Sequence, residues 1–164
     1  MRSKSASPPP ATALPFLRYV DLKCYDIQGP PLNINLALTH LNPSIVNIFG
    51  ANTNVVVREP QQLCVPVRKN NQAIPAAVLQ LIQWIDLKCY RVDAPAAFNA
   101  NIQLHHLNPL WAAIAPQMAQ FQALPPNQLC VPVAKNGQIP PAAVRPIVQY
   151  SDVLCYRVQA AALN

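Results

Sequence analysis

Apolar and polar residues alternate along several short segments of the chain. In YVDLKCYDI, Val20, Leu22 and Cys24 fall on one face and Asp21 and Lys23 on the other. This is the period of two that is typical of a half-buried strand. The segments LNINLAL and NANIQLHHL alternate in the same way, and NVVVRE is a further strand candidate. The pattern predicts a chain built mainly from short strands.

Proline and asparagine mark where these strands are interrupted. The proline in QLCVPV removes a donor from the hydrogen-bond ladder, so we expect this strand at a sheet edge or at a bulge. The strings RKNNQ and AKNGQ that follow the two copies of QLCVPV are typical of turns.

Helical segments are predicted to be short. NPLWAAIAPQMAQF is the best helix candidate, with Asn108 as its cap and Pro109 at its first position. NPSIVNIFGANT is a poorer one, and IPAAV and PPAAV could each open a helical turn. Nineteen prolines against three glycines argue against long helices anywhere.

The same segments occur twice. QLCVPVRKN at 62–70 returns as QLCVPVAKN at 128–136, THLNP returns as HHLNP, and IPAAV returns as PPAAV. A third motif occurs three times, as FLRYVDLKCYDI, LIQWIDLKCYRV and IVQYSDVLCYRV, which we call the CY segments. Landmarks in one order at a spacing of 65 or 66 residues indicate an internal duplication.

We therefore predict a mainly β fold: two pseudo-symmetric tandem β-sheet units with short helical turns, stapled by disulfides. Residues 1–15 would form a proline-rich extended tail and residues 16–80 the first β repeat. Residues 81–158 would form the second repeat, including the closing CY strand, and residues 159–164 a C-terminal tail.

Few residues are charged. Charged residues make up 11% of the chain, against about 25% in an ordinary soluble domain, and the 14 Asn and 14 Gln residues outnumber them. A surface with so little charge lacks the repulsion that keeps monomers apart. This favours a protein that works in an assembly or on a surface, although a neutral monomeric secreted domain is also consistent.

The net charge of +6 does not indicate a nucleic-acid partner, because the twelve basic residues are scattered. No apolar run reaches the length of a membrane span. The start MRSKSASPPPATALP lacks the apolar core of a signal peptide. Either a signal lies upstream of residue 1 or the chain is not exported.

The combination of a KCY strand, an LCVPV strand followed by KNG, and a return to CY resembles tandem-repeat domains of secreted bacterial proteins without an assigned activity. The resemblance covers residues 16–158. It implies an exported, β-rich domain and carries over no catalytic residue. The start of the chain departs from that pattern.

Five cysteines lie inside the repeated motifs, and no CxxC spacing indicates a metal site. Two disulfide registers are consistent with the repeat. The one we favour pairs Cys64 with Cys89 and Cys130 with Cys155, leaving Cys24 as an unpaired buried thiol. The other pairs Cys24 with Cys64 and Cys89 with Cys130. Five buried thiols in a reducing compartment are the remaining alternative.

Other repeated polar residues could form sites. His40 and His106 are equivalent, but no acid or nucleophile recurs with them, so we interpret HLNP as a turn in which the imidazole bonds a backbone carbonyl. The aspartates of the three CY segments, Asp21, Asp86 and Asp152, are interpreted as partners of lysine or arginine on neighbouring strands.

Aromatic residues are the remaining candidates for ligand contacts. If exposed, they could stack on sugar rings or on another protein; if buried, they belong to the core. The candidates are Trp84, Trp111, Tyr19 and Tyr150.

The expected function is that of a non-enzymatic structural protein, a subunit of an extracellular or cell-surface filament, layer or coat. It would form a homo-oligomer or polymer, and its N-terminal tail would contact a neighbour. The alternative is a secreted module that binds carbohydrate or another neutral ligand. We expect no catalytic residues, no metal, no cofactor, no nucleic-acid partner and no membrane span.

Overall fold

Within residues 13–94, 100–114 and 119–160, which the computed structural model describes, seven strands form one antiparallel sheet. The prediction of a mainly β fold with disulfides is confirmed. The strands are β1 (Leu22–Asp26), β2 (Ile34–Thr39), β3 (Asn52–Pro66), β4 (Leu87–Asp93), β5 (Ala100–Leu104), β6 (Ala119–Pro132) and β7 (Val153–Ala160).

The helices are short, as the proline content predicts. They are α1 (Leu14–Leu17), α2 (Pro43–Phe49), α3 (Ala76–Ile82), α4 (Pro109–Ile114), α5 (Arg145–Val148) and a 3-10 turn (Lys135–Gly137).

The two HLNP motifs start helices in the same way. Asn42 caps α2 and Asn108 caps α4, each accepting hydrogen bonds from the two backbone N–H groups that lie two and three residues further on. The segment that we judged the poorer helix former gives the seven-residue α2. The predicted continuation of α4 runs into residues 115–118, which lie outside the described part of the chain. Its last three residues, 119–121, belong to strand β6, so the helix prediction is wrong there.

Two long strands, β3 and β6, organise the sheet. The C-terminal part of β3 pairs with β1, where Cys24 lies opposite Cys64, and its N-terminal part pairs with β2. In the same way β6 pairs with β4, where Cys89 lies opposite Cys130, and with β5. Corresponding strands of the two sequence repeats therefore pair in the same register at the cysteines.

The two repeats meet between β3 and β4, and β7 continues the sheet beyond β6. Cys89 of β4 lies opposite Gln62 of β3, and Cys155 of β7 lies opposite Gln128 of β6. The sheet order through the cysteine-bearing strands is thus β1-β3-β4-β6-β7.

Of the two alternatives predicted for QLCVPV, a sheet edge and a bulge, the sheet edge is wrong, because β3 and β6 lie inside the sheet. Their prolines are tolerated for a local reason. Pro66 is the last residue of β3 and pairs with Leu22 of β1, whereas the pairing of β3 with β4 ends at Cys64. The bulges occur earlier in the long strands, where the register shifts around Pro60 and Pro126.

The first half of each CY segment is a helical turn, so the alternating pattern predicted strands that begin too early. The N–H of Tyr19 bonds the carbonyl of Phe16, and the N–H of Trp84 bonds that of Leu81, at 3.1 and 3.2 Å. Hydrogen bonds from the N–H of one residue to the carbonyl three residues earlier are those of a 3-10 turn, which belongs to a helix end and not to a strand. In the first segment α1 covers Leu14–Leu17, part of which we had assigned to an extended tail.

Buried side chains lie on both faces of the sheet, since alternate residues of a strand point to opposite sides. One cluster contains Cys64, Leu87, Cys89 and Cys130. The other contains Val55, Val57, Val92 and Leu129. The sulfurs therefore belong to one face of the sheet and the valines to the other.

Candidate functional site

A row of five sulfur atoms crosses the sheet. Cysteines lie on the adjacent strands β1, β3, β4, β6 and β7. The Sγ atoms of Cys64 and Cys89, which belong to different disulfides, are 3.7 Å apart. The Sγ atoms of Cys130 and of the free Cys155 are 3.8 Å apart. Each sulfur in the row therefore touches the next.

The disulfides follow the register that we did not favour. Cys24 bonds Cys64, Cys89 bonds Cys130, and Cys155 is the free thiol. The bonded residues lie directly opposite each other, with Cα atoms 3.9 Å apart. The predicted partners are diagonal instead, because Cys64 lies opposite Leu87 and Cys130 opposite Val153. Directly opposite positions bring the Cβ atoms closest together.

The two ends of the sulfur row differ in their environment. Cys155 is half-buried, and burial raises the pKa of its thiol. Cys24 is exposed and bonded. The odd cysteine is therefore Cys155 and not Cys24, and a thiolate at Cys155 is disfavoured by desolvation.

A second feature is an open hollow of about 300 Å³ between the second HLNP motif and the start of β1. It combines apolar, aromatic, basic and acidic side chains. The residues that line it are Leu17, Asp21, Lys69, His105, His106, Leu107, Asn108 and Trp111.

Asp21 and Asn108 fix one wall of the hollow. Asp21 accepts hydrogen bonds from Lys69 Nζ at 2.6 Å and from Asn108 Nδ2 at 2.9 Å, one on each carboxylate oxygen. Asn108 also donates to the carbonyl of Arg18, while its own side-chain oxygen caps α4. Asp21 thus links Lys69 to the residue that caps α4.

Trp111, on α4, forms the aromatic part of the hollow. Its ring stacks on His106 with centroids 5.8 Å apart, and Lys69 Nζ lies 5.4 Å from its centroid. Trp111 remains 41% exposed, so the hollow presents an aromatic surface to solvent.

The ion pair at Asp21 has an equivalent in the second repeat. Asp86 pairs with Lys135 Nζ at 2.9 Å. The backbone matches too, since Val67 N–H donates to Asp21 O and Val133 N–H to Asp86 O. Lysine partners are thus found for two of the aspartates, in the turns after β3 and β6 rather than on the strands as predicted. Asp152 of the third CY segment is exposed.

His40 lies in a different place from His106. Its Nδ1 is 3.0 Å from the carbonyl of Gly50 and its Nε2 is 2.5 Å from the hydroxyl of Tyr156. A carbonyl can only accept, so Nδ1 carries the proton and Tyr156 donates to Nε2. The predicted bond to a backbone carbonyl is present, and Phe49 stacks on Tyr156 beside it at 5.1 Å.

The predicted aromatic contacts do not gather in one patch. Tyr19, Trp84 and Tyr150 precede β1, β4 and β7, which are separated from one another by β3 and β6. Tyr19 and Trp84 are half-buried, whereas Tyr150 is 74% exposed. Of the four candidates, Trp111 lines the hollow.

Sequence reasoning missed Lys69 and Asn108 as residues of the hollow. A signal for Lys69 existed, because Lys69 and Lys135 occupy one repeat position, as Asp21 and Asp86 do. Asn108 also occupies a repeat position, that of Asn42, but the repeat gives no signal for its contact with Asp21, 87 positions away.

Comparison with known proteins finds no matching family model, no matching curated protein and no matching solved structure. Among the described residues, no three His, Cys, Asp or Glu side chains are grouped so that they could hold a metal ion. No helix in that part of the chain has the length and apolar character needed to cross a membrane.

Proposed function

We propose that the protein is a structural subunit of an extracellular or cell-surface assembly, in which copies join through the edges of their sheets. The observation that carries the proposal is that β7 is an edge strand with one unpaired side within the described residues. It pairs with β6 as β4 pairs with β3, at Cys155–Gln128 and Cys89–Gln62. The other edge of β4 is covered by β6, but within the described residues β7 has no strand on its other edge.

Of the edge strands, β2 and β7 carry little that prevents such pairing. Monomeric proteins usually protect sheet edges with charges or prolines. Here β2 (INLALT) has no charged residue and β7 (VLCYRVQA) has only Arg157. An open edge of this composition supports the addition of a strand from another copy.

Apolar side chains are exposed on the same strands. Ile34 and Leu36 on β2 are 47% and 37% exposed, and Val153 and Val158 on β7 are 44% and 47% exposed. Sixteen large apolar residues of the described chain are exposed, against thirteen apolar residues that are buried. Apolar surface of this extent supports a role in protein–protein contact.

Two-fold pairing of β7 with β7 of a second copy fits the local geometry. Cys155 of β7 occupies the position that Cys89 has in β4. On the edge of β4 that faces β6, Cys89 lies opposite Cys130 at the close spacing of a non-hydrogen-bonded pair. In a two-fold pair centred on Cys155, Val153 would lie opposite Arg157 of the second copy. A similar contact at β1 and β2 would link dimers into an open ribbon.

Two disulfides are consistent with an oxidising, extracellular location, as the resemblance to secreted repeat domains implies. The two sequence repeats would then be two equivalent units of one sheet. The N-terminal tail that would contact a neighbour is predicted over residues 1–15, of which residues 1–12 lie outside the described part of the chain.

Light scattering over a range of protein concentrations tests the proposal. The wild type should show a mass that rises with concentration. Val153→Lys should stop growth at the dimer, because it places a lysine opposite Arg157 across the β7 contact. Ile139→Lys is the matched control: Ile139 is 62% exposed in a loop, so this variant adds the same charge away from the edge. A wild type that stays monomeric at high concentration contradicts the proposal.

The hollow supports a second candidate function, the binding of a carbohydrate. A half-exposed Trp111 beside His106, Lys69 and Asn108 offers a stacking surface with polar groups around it. Glycan-array binding should be lost in Trp111→Ala and retained in Trp84→Ala, because Trp84 lies before β4 and does not line the hollow. Binding that is lost equally in both variants would contradict a site at the hollow.

A further inference from the structure

The row of sulfurs contains two disulfides and one thiol in continuous contact. The Cys155 thiol is 3.8 Å from Cys130 Sγ, which is bonded to Cys89, and Cys89 Sγ is 3.7 Å from Cys64 Sγ, which is bonded to Cys24. A thiolate exchanges with a disulfide by attacking its nearer sulfur. The first contact therefore places the free thiol against a disulfide sulfur, and the second places Cys89, the sulfur released by that exchange, against the next disulfide.

We propose that this row is a site of thiol–disulfide exchange, along which the free thiol moves between Cys155 on β7 and Cys24 on β1. The inference does not depend on the proposed function.

The exchange has two steps, and neither needs an oxidant or a reductant. In the first, the Cys155 thiolate attacks Cys130 Sγ, so that the Cys130–Cys155 bond forms, the Cys89–Cys130 bond breaks and Cys89 leaves as a thiolate. In the second, Cys89 attacks Cys64 Sγ, the Cys64–Cys89 bond forms and Cys24 leaves as a thiolate. One proton is lost from Cys155 and one is gained by Cys24.

The product is the second disulfide register that the repeat allows, with Cys64–Cys89 and Cys130–Cys155 as its bonds. Cys24 and Cys155 lie on strands that are four spacings apart in the sheet, a distance of about 19 Å. The thiol would cross this distance without any strand leaving the sheet, because every transfer is between neighbouring sulfurs.

The surroundings of Cys155 and Cys24 determine how the exchange depends on pH. Cys155 is half-buried, lies opposite Gln128 and has Asp152 and Arg157 as its charged neighbours along the chain. Burial raises its pKa, so few molecules start the exchange at neutral pH. Cys24 is exposed, and water can solvate a thiolate there.

The test locates the free thiol in the full-length oxidised protein. Samples held at about pH 5 and at about pH 8.5 are quenched in acid, labelled with a maleimide and mapped by peptide mass spectrometry. At the lower pH the label should be found on Cys155. At the higher pH the fraction on Cys24 should rise about tenfold, at a rate independent of protein concentration.

Two variants complete the test. Cys155→Ser has no thiol to begin the exchange, so its disulfides should stay Cys24–Cys64 and Cys89–Cys130 and no label should appear. Cys24→Ser with Cys89–Cys130 as its disulfide has thiols at Cys64 and Cys155, so at the higher pH exchange should move the bond to Cys130–Cys155 and the label from Cys155 to Cys89.

Label confined to Cys155 at both pH values overturns the proposal, as does a Cys24 label whose rate rises with protein concentration. A Cys24→Ser protein that keeps the Cys89–Cys130 bond at the higher pH, with thiols at Cys64 and Cys155, overturns it as well.

Discussion

Asn108 donates a hydrogen bond of 2.9 Å to the carboxylate of Asp21, and so joins the helix after the second HLNP motif to the start of the first repeated unit. The same side chain caps α4 through its oxygen. One buried asparagine thus holds α4, and with it Trp111, against the segment that precedes β1.

Asn108→Ala should lower the free energy of unfolding by about 3 kcal/mol, because it removes a helix cap worth about 1 kcal/mol and a bond to a charged group worth about 2 kcal/mol. Asn42→Ala is the matched control, since Asn42 caps α2 and is exposed; it should cost about 1 kcal/mol. Urea unfolding at neutral pH measures both. Equal losses in the two variants would show that the bond to Asp21 contributes nothing.

The pairing of β3 with β4 includes a network of ion pairs that acid should weaken. Arg58 donates to Asp93, which lowers the pKa of Asp93, and Arg91 donates to Glu59, which lowers the pKa of Glu59. Carboxylates with lowered pKa values stabilise the fold above their unfolded pKa values, and this stability is lost as the pH falls through the folded ones. Stability should therefore decrease below about pH 4.

Arg91→Gln should reduce this acid dependence, because it removes the partner of Glu59. Lys88→Gln removes the same charge from β4, where the Lys88 ammonium lies over the ring of Tyr90, 5.2 Å from its centroid. The urea midpoints of both variants at about pH 6 and pH 3 provide the comparison. If Lys88→Gln reduces the acid dependence as much as Arg91→Gln, the ion-pair network is not its cause.

Mild oxidation should link copies through the open edge of β7. With diamide as the two-electron oxidant, two Cys155 thiols become one disulfide and the diamide is reduced to the hydrazine. A dimer that disappears on reduction should be seen on a non-reducing gel, and Cys155→Ser should not form it. Val153→Lys should form it much more slowly, whereas Ile139→Lys should resemble the wild type. Equal rates in these last two variants would argue against pairing at β7.

Much of the fold could be predicted from the sequence because its elements repeat. The alternation around Cys24 and Cys89, together with the 65-residue spacing between them, indicated strands in equivalent positions. Local chemistry also identified Asn108 as a helix cap, since a capping side chain contacts its own following residues.

The disulfide register was not predictable in the same way. Both pairings of Cys64 are consistent with the spacing, and the sequence does not show which partner is opposite and which is diagonal. That choice depends on where the register of β3 and β4 shifts around Pro60. The bond between Asn108 and Asp21 was also hidden, because it joins residues that only the folded sheet brings together.

Disulfide mapping tests the central claim that each repeat is stapled across its own cysteine-bearing strands and leaves one thiol at the β7 edge. The protein is purified without reductant, kept at about pH 5 to prevent exchange, alkylated and digested. The account predicts linked peptides for Cys24–Cys64 and Cys89–Cys130 and an alkylated Cys155. Five alkylated cysteines would contradict it.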